Sequence, residues 1–376
     1  MPRYFGLDLH KRYVHGCEWQ VDVQKGRHFR FPNTDAGWAT FVQQLRADDC
    51  VALEVTGNAF TVHDLLSAYA GKVLLANPLE LKRLGAGRHT DRVDAERLAK
   101  MLALGMVPAV WVPPPAVREV RYLLQYRDRL VRNRRRYLTQ AKSVFQRHGL
   151  PIPRNVDPRQ WLDREEVNRL PQAERVILLS ALRQLETVEI EIQAIEAEIA
   201  RQVADQPAVQ LLLTITGVGL LTAATIWAYL GDLRRFRTAK QVTRYAGLDA
   251  SVHQSGEQDH RGRISRNGSK LLRTAVVEAA HSVARHDQGP LGAFYHRKQR
   301  QIGPHKAVVA LARKLLIVAW RMLLTGQPYR AAKPTLVVQK QRRLVEVAQA
   351  VTDWNAVAVA LWPDRLEDRH RRRRVA

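Results

Sequence analysis

Three consecutive prolines, Pro113-Pro114-Pro115, separate two stretches of this chain that differ too much in composition to share one architecture. A polyproline run is a stiff spacer, and a composition shift across it marks a domain boundary. The shift is one of charge. Residues 1–112 hold 14 Lys+Arg and 12 Asp+Glu, net +2, whereas residues 113–376 hold 46 and 24, net +22. Length agrees with two or three units, since 376 residues exceed the roughly 100–200 of a typical domain. The 46% of hydrophobic residues suffices for real cores and excludes wholesale disorder. A formal charge of +24 points to a polyanionic partner, nucleic acid or an anionic membrane surface. A small neutral substrate would not need it.

The membrane has one candidate segment. No charged residue lies between Asp205 and Asp232, a span longer than the ~18 apolar residues of a crossing helix. Gln210, Thr214, Thr216, Thr222 and Thr225 interrupt it, Gly217 and Gly219 break its middle, and neither flank carries a basic cluster. The expectation is a buried helical hairpin and no membrane span. Residues 1–11 contain no secretory apolar run, so export is not expected. Cys17 and Cys50 are the only cysteines, and no disulfide framework or cysteine zinc cage can be built from two. Both are expected as buried small hydrophobes in a reducing cytoplasm.

Before the prolines, segments at residues 4–10, 13–23 and 27–31 read as a three-strand meander. A helix with Thr34 as N-cap, a strand at 50–55, a helix from about Phe60 to Tyr69, a strand at 72–76 and helical sequence toward Ala103 follow. The order βββαβαβα predicts an α/β layer with a mixed sheet. After the prolines, residues 117–147 are helical and dense in cations, among them Arg132, Arg134, Arg135 and Arg136. A second helix at 174–203 spaces Val176, Leu179, Leu182, Leu185, Val188, Ile192, Ile195 and Ile199 by three or four, a coiled-coil-like stripe. It fits packing on its own chain or a seam between subunits. Residues 211–325 read as mostly helical, and the tail ends in Arg371 to Arg374.

Four acids of the first part stand out by position. Asp8 lies among Phe5, Leu7 and Leu9, and Glu54 follows Val51-Ala52-Leu53; a carboxylate in an apolar strand is costly unless paired. If the two strands are neighbours, both carboxylates project toward one site. Asp91 and Asp94 are three apart at a helix start and face one side. Such hard oxygen donors suit Mg²⁺ or Mn²⁺. Taken singly, Asp91 and Asp94 could simply complement a helix dipole, and Asp8 could be a turn residue.

The order strand Asp, strand Glu, helix Asp-x-x-Asp resembles the RNase H-like fold of RuvC-type nucleases, whose acidic tetrad holds two metal ions across a scissile phosphate. With Gly6-Leu7-Asp8-Leu9-His10-Lys11, Glu54-Val55-Thr56-Gly57 and His89-Thr90-Asp91-Arg92-Val93-Asp94-Ala95, the chain resembles the insertion-sequence transposases with an N-terminal DEDD domain, described as bridge-RNA-guided serine recombinases. A lysine often precedes the Thr-Asp pair in that family; His89 stands here. The resemblance implies an RNase H-like (RuvC-like) α/β domain, followed by a mostly α-helical part with a coiled coil and a helix-hairpin-helix.

The second half carries the other motifs. Leu213 to Ala224, with Gly217 and Gly219, looks like a helix-hairpin-helix, in which glycines admit a phosphate and the next helix offers free N–H donors. A tight core turn fits the same residues. The polar stretch 253–268 reads as a flexible loop in which Ser255 is an ordinary serine and the arginines are solvated or phosphate-bound. The resemblance assigns more. The family's Gly-Leu segment, Ser-Gly and Gly-x-Ile-basic-x-x-Gly place its proposed nucleophile at Ser255, with Arg261, Arg263 and Arg266 able to clamp phosphates. Proline often follows that Gly-Leu; Asp249 stands here.

The implied division is 1–112 for the RNase H-like DEDD catalytic domain and 113–206 for a basic helical and coiled-coil linker region. Residues 207–330 are the helix-hairpin-helix and serine transposase domain, and 331–376 a basic tail of unknown role. The implied function is an insertion-element transposase that cuts and rejoins DNA with metal-bound Asp8, Glu54, Asp91 and Asp94 and a Ser255–DNA link. A structured guide RNA, a homodimer or homotetramer, Mg²⁺ (or Mn²⁺) and a cytoplasmic location complete the expectation. The rivals are a junction-resolving metal nuclease with water as nucleophile, and a non-catalytic nucleic-acid-binding protein.

Overall fold

The computed structural model describes residues 2–84, 90–153, 156–255 and 258–350, the side chains of Arg159, 251–255 and 258–263 excepted. The chain folds as two compact units, Met1–Pro113 and a second that begins at Pro114.

The first unit runs β1 (Tyr4–Leu9), β2 (Tyr13–Gln20), β3 (Lys25–Pro32), α1 (Asp35–Val42), β4 (Cys50–Glu54), α2 (Ala59–Leu66), β5 (Lys72–Ala76), α3 (Pro78–Leu84) and α4 (Asp91–Ala103). Its described strands form one sheet of order β3-β2-β1-β4-β5. β1, β2 and β3 form the expected antiparallel meander, while β4 pairs parallel to both β1 and β5, so the sheet is mixed. Alternation sorts the side chains to two faces. Phe5, Leu7, Val14, Val51, Leu53 and Leu75 pack with Trp38, Phe41, Val62 and Leu66 of α1 and α2. Leu7, Leu53 and Leu75 are fully buried, each burial contributing about 1.5–3 kcal/mol. Ala52, Ala76, Cys17 and Trp19 point the other way, against Ala95, Leu98, Ala99 and Leu102 of α4. Gly6 explains how closely that helix lies. A Cβ on Gly6 would fall 2.1 Å from the Ala95 carbonyl oxygen and 2.5 Å from the Ala99 nitrogen, so only glycine admits the helix backbone here.

Among its described residues the second unit is helical except for one hairpin. α5 (Pro115–Arg147), α6 (Glu165–Asn168) and α7 (Gln172–Val203) come first; α8 (Pro207–Leu213), α9 (Leu220–Leu230) and α10 (Ala239–Tyr245) follow. Then come β6 (Ala250–Ser255), β7 (Gln258–Ile264), α11 (Lys270–His286), α12 (Pro290–Ile302), α13 (Pro304–Thr325) and α14 (Pro334–Gln349). α5 and α7 form an antiparallel pair. Val120, Leu124 and Leu130 share a core with Val188 to Val203, while Ala141, Val144 and Phe145 share one with Leu178 to Leu185. The α7 stripe therefore packs on its own chain from Leu182 to Ile199. Its first turns depart from the expected register: Leu178 is buried, whereas Val176 and Leu179 are exposed.

The uncharged span 206–231 is α8, a turn and α9, a buried hairpin as expected. Ala223, Ala224, Ile226, Ala228 and Leu230 are fully buried, and Thr225 Oγ1 satisfies itself by donating to the Leu221 carbonyl at 2.6 Å. Among the described residues no helix is long and apolar enough to cross a membrane. Two further expectations change. The polar stretch after Asp249 is not a loop up to Ile264, because 250–255 and 258–264 pair as the antiparallel hairpin β6–β7; polar side chains on both strands hide the alternation. The tail, of unknown role in the sequence, contributes α14, whose Leu344 is buried in the unit's main core.

Candidate active site

Asp8 is the penultimate residue of β1 and Glu54 the last of β4, and these strands are parallel neighbours with Leu7 opposite Leu53. Both acids lie two positions after residues of the α4 face, Gly6 and Ala52, so both carboxylates project to the side that α4 covers. The first turn of α4 supplies the rest. Thr90 is its N-cap, Oγ1 accepting from the Val93 N–H at 3.3 Å, which places Asp91 and Asp94 in a turn whose free N–H groups favour negative charge. His89 lies outside the described residues.

Asp91 and Asp8 converge on one imidazole. His10 Nε2 stands 3.1 Å from Asp8 Oδ2 and 3.2 Å from Asp91 Oδ2, close enough for an Nε2–H to donate to either. Ligand atoms of Asp8, His10 and Asp91 lie within 4.8 Å of one another, a spacing that can hold a metal ion. Tyr13 fixes the far side. Its hydroxyl donates to Asp91 Oδ2 at 2.7 Å, and its ring is stacked on His10 at 4.7 Å with the Arg30 guanidinium 3.5 Å from the ring centroid. Asp94 Oδ1 is 3.5 Å from the Arg97 guanidinium. Sequence alone does not single out His10 and Tyr13, which read as the residues around a tight β1–β2 turn. The available signal is parity, since His10 shares the strand face of Asp8.

Electrostatics single out the two strand acids. Burial raises the Asp8 carboxyl above its ordinary value, with His10 opposing and Asp91 and Asp94 adding to the rise. Burial, then repulsion from Asp8, likewise raises Glu54. The Tyr13 hydrogen bond pulls Asp91 down instead. Two half-buried carboxylates, Asp8 raised by burial and by Asp91 and Asp94, and Glu54 by burial and by Asp8, are a site that a divalent cation would stabilise, and the donors are the hard oxygens that Mg²⁺ or Mn²⁺ takes.

The second-half motifs are placed less uniformly. Gly217 has φ +82°, and a Cβ there would lie 2.6 Å from the Val283 nitrogen of α11, so this glycine serves a close approach within the core. Gly219 is exposed with open space beyond it, at the N-terminus of α9, which has no side-chain cap. Arg132, Arg134, Arg135 and Arg136 are exposed on α5, Arg132 pairing with Asp128 at 3.1 Å. Ser255 ends β6, and its side chain, like those of Arg261 and Arg263, lies outside the described residues. Arg266 is exposed, with φ +55°. Asp249 anchors the hairpin's base: Ser265 Oγ donates to its Oδ1 at 2.6 Å and Ser265 N to its carbonyl at 2.8 Å. Other cations do structural work. Arg121 and Arg235 donate to the Ala228 and Tyr229 carbonyls at the end of α9, and Lys340 of α14 donates to Leu213 O and Ile215 O at 2.9 and 2.6 Å.

Two family descriptions match the halves of the chain separately. Residues 5–149 match the transposase domain DEDD_Tnp_IS110, and residues 209–296 match the transposase IS116/IS110/IS902 family. The chain belongs to this family of insertion-sequence transposases. Relatives of the transposase span nearly its whole length. It is 27% identical to the transposase for insertion sequence element IS1111A of Coxiella burnetii over 87% of this chain and 91% of that one. It is 28% identical to a probable family 20 transposase of Pseudomonas aeruginosa over 86% and 98%. A pilin gene-inverting protein of Moraxella lacunata is 25% identical over 87% and 97%. The DEDD domain suggests use of a divalent metal by this transposase.

Proposed function

We propose that this protein cuts and rejoins DNA strands at the ends and targets of an insertion element, with Asp8, Glu54, Asp91 and Asp94 holding Mg²⁺ or Mn²⁺ and Ser255 as nucleophile. The observation that carries the reading is the meeting of Asp8 and Asp91 at His10, beside a Glu54 whose charge Asp8 disfavours. A bound divalent ion supplies charge neutralisation for a pentacoordinate phosphate and a lowered effective pKa for the attacking hydroxyl. The protein's own groups do the rest. Tyr13 holds the Asp91 carboxylate in one orientation, and His10 ties Asp91 to Asp8. Ser255 Oγ bonds to phosphorus and gives up its proton; the bond to the departing strand breaks and that oxygen leaves as a hydroxyl. The phosphoserine link keeps the phosphodiester energy, so a second strand's hydroxyl rejoins DNA without ATP.

Supporting partners follow from charge and surface. Exposed Arg134, Arg135, Arg136 and Arg266, the open α9 N-terminus at Gly219, and Arg261 and Arg263 by their motif, are the groups to hold phosphate. A structured guide RNA accounts for a net +22 outside the sheet domain, protein cations gripping backbone while base pairing reads sequence. Exposed Val176, Ile177 and Leu179 are the apolar surface of α7 that a homodimer or homotetramer would cover. The proposed setting is the cytoplasm. The name of the Moraxella relative, a gene-inverting protein, fits strand exchange better than cleavage alone. The test is to trap a protein–DNA adduct during turnover and map it. Attachment at Ser255 is expected; DNA cleavage by Ser255→Ala protein with divalent metal would instead support a nuclease that uses water.

A further inference from the structure

A second cluster of metal-ligating side chains lies on the α4 face of the same sheet, built from residues outside the acidic site. Cys17 on β2 and His28 on β3 are directly opposed in the strand register, and Glu96 comes down on them from α4. One ligand atom from each of Cys17, His28 and Glu96 lies within 4.8 Å of the others. His28 Nε2 is 3.0 Å from Glu96 Oε2, and its other ring nitrogen, Nδ1, is 3.3 Å from His15 Nε2. Gly26 of β3, two residues before His28, carries no side chain into the cluster. A Cβ on Gly26 would lie 2.7 Å from Cys17 Sγ and 3.1 Å from the Glu96 carboxyl carbon, so this glycine keeps open the space between two of the donors.

We propose that Cys17, His28 and Glu96 form a zinc site that fastens α4 to the sheet, distinct from the Mg²⁺ site of the acids. Thiolate, imidazole and carboxylate are the donor types of zinc, whereas the acidic cluster offers hard oxygens and one imidazole. Zinc bond lengths of about 2.0–2.3 Å separate tetrahedral ligands by roughly 3.3–3.8 Å, so the present spacing of up to 4.8 Å needs to contract by about 1.5 Å at most. Glu96 can supply that movement, its side chain being 40% exposed while Cys17 is fully buried. Binding exchanges the thiol proton of Cys17, which goes to solvent, for a sulfur–metal bond. His15 holds His28 from behind by the free ring nitrogen, the arrangement by which zinc-bound histidines are oriented. The benefit lies in placement: Glu96 is two residues after Asp94 in the helix that carries Asp91 and Asp94, and His15 is opposite Asp8 in the β1–β2 register. A cation at Cys17, His28 and Glu96 therefore pins the helix that presents half of the acidic tetrad. Metal binding itself does not depend on the recombinase reading.

Cobalt(II) is the probe, because cysteine sulfur gives it a near-ultraviolet charge-transfer band that oxygen and nitrogen donors do not. Titrating the full-length chain with Co²⁺ is expected to produce the band and added Zn²⁺ to abolish it. Cys17→Ser should lose the band, while Cys50→Ser and Asp8→Asn keep it. Glu96→Gln, at an exposed position that does not threaten folding, and His15→Phe should each weaken cobalt affinity about 10–100-fold. A band absent from the wild-type chain at saturating Co²⁺, a band that survives Cys17→Ser, or one that disappears with Cys50→Ser would overturn the site.

Discussion

Carboxylates at the ends of apolar strands cost free energy unless a cation meets them, and Asp8 and Glu54 carry that cost side by side. Both carboxyls are raised, so at neutral pH each ionised group disfavours the metal-free fold. Asp8→Asn should therefore raise the melting temperature of the metal-free protein while cutting metal-dependent strand cleavage by about 100-fold or more, read by calorimetry and by a gel assay on the same preparation. His10→Ala should cost about 10–100-fold in cleavage and raise the Mg²⁺ needed for half-maximal rate, with DNA binding unchanged. The four acids are legible in the sequence because charge inside an apolar strand or a first helical turn is conspicuous. His10 and Tyr13 are not, since a histidine and a tyrosine flanking a short turn have many ordinary uses. Cys17, His28 and Glu96 are further out of reach: they come from three elements, and only the β2–β3 register and the docking of α4 bring them together.

Between elements, the second unit is held by glycines and half-buried cations that a helix pattern does not reveal. Gly217 and Gly219 look equivalent in sequence and are opposite in structure. Gly217→Ala forces a β-carbon into α11 at φ +82° and should destabilise by at least about 1–3 kcal/mol, seen in the denaturant midpoint. Gly219→Ala meets open space at a negative φ and should leave stability nearly unchanged, so any loss of DNA affinity in that variant reports the α9 terminus directly. Lys340 gives a pH signature. Burial lowers its pKa to about 8 from 10.5, so between those values the unfolded chain binds more protons than the folded one. Stability then rises with pH across that window, by at most about 1.4 kcal/mol per pH unit from this group, and the rise should be smaller in Lys340→Met. The long helices and the buried hairpin are readable from apolar spacing. The β6–β7 hairpin is not, because its sequence is mostly polar, and the fit of α14 onto α7 and α8 depends on long-range packing that no local pattern encodes.

For the whole molecule, charge separates the two units more sharply than fold does. The sheet unit is nearly neutral, at a net +2, while the helical unit holds a net +22. That surplus is smaller as a binding surface than the composition suggests, since Arg121, Arg235, Arg273 and Lys340 are engaged with backbone carbonyls of their own unit. DNA affinity should fall linearly with log salt, and replacing Arg134, Arg135 and Arg136 by alanine should flatten the slope by about 0.9 for each phosphate no longer neutralised. The acidic tetrad as the seat of metal-dependent strand cleavage is tested most directly by assaying insertion-end DNA with wild-type and Asp8→Asn protein in Mg²⁺, with binding measured in parallel. The wild-type chain should cleave with Mg²⁺ and stop on chelation, and the Asp8→Asn chain should bind as well yet leave the strands intact. Cleavage by Asp8→Asn at the wild-type rate would contradict the assignment.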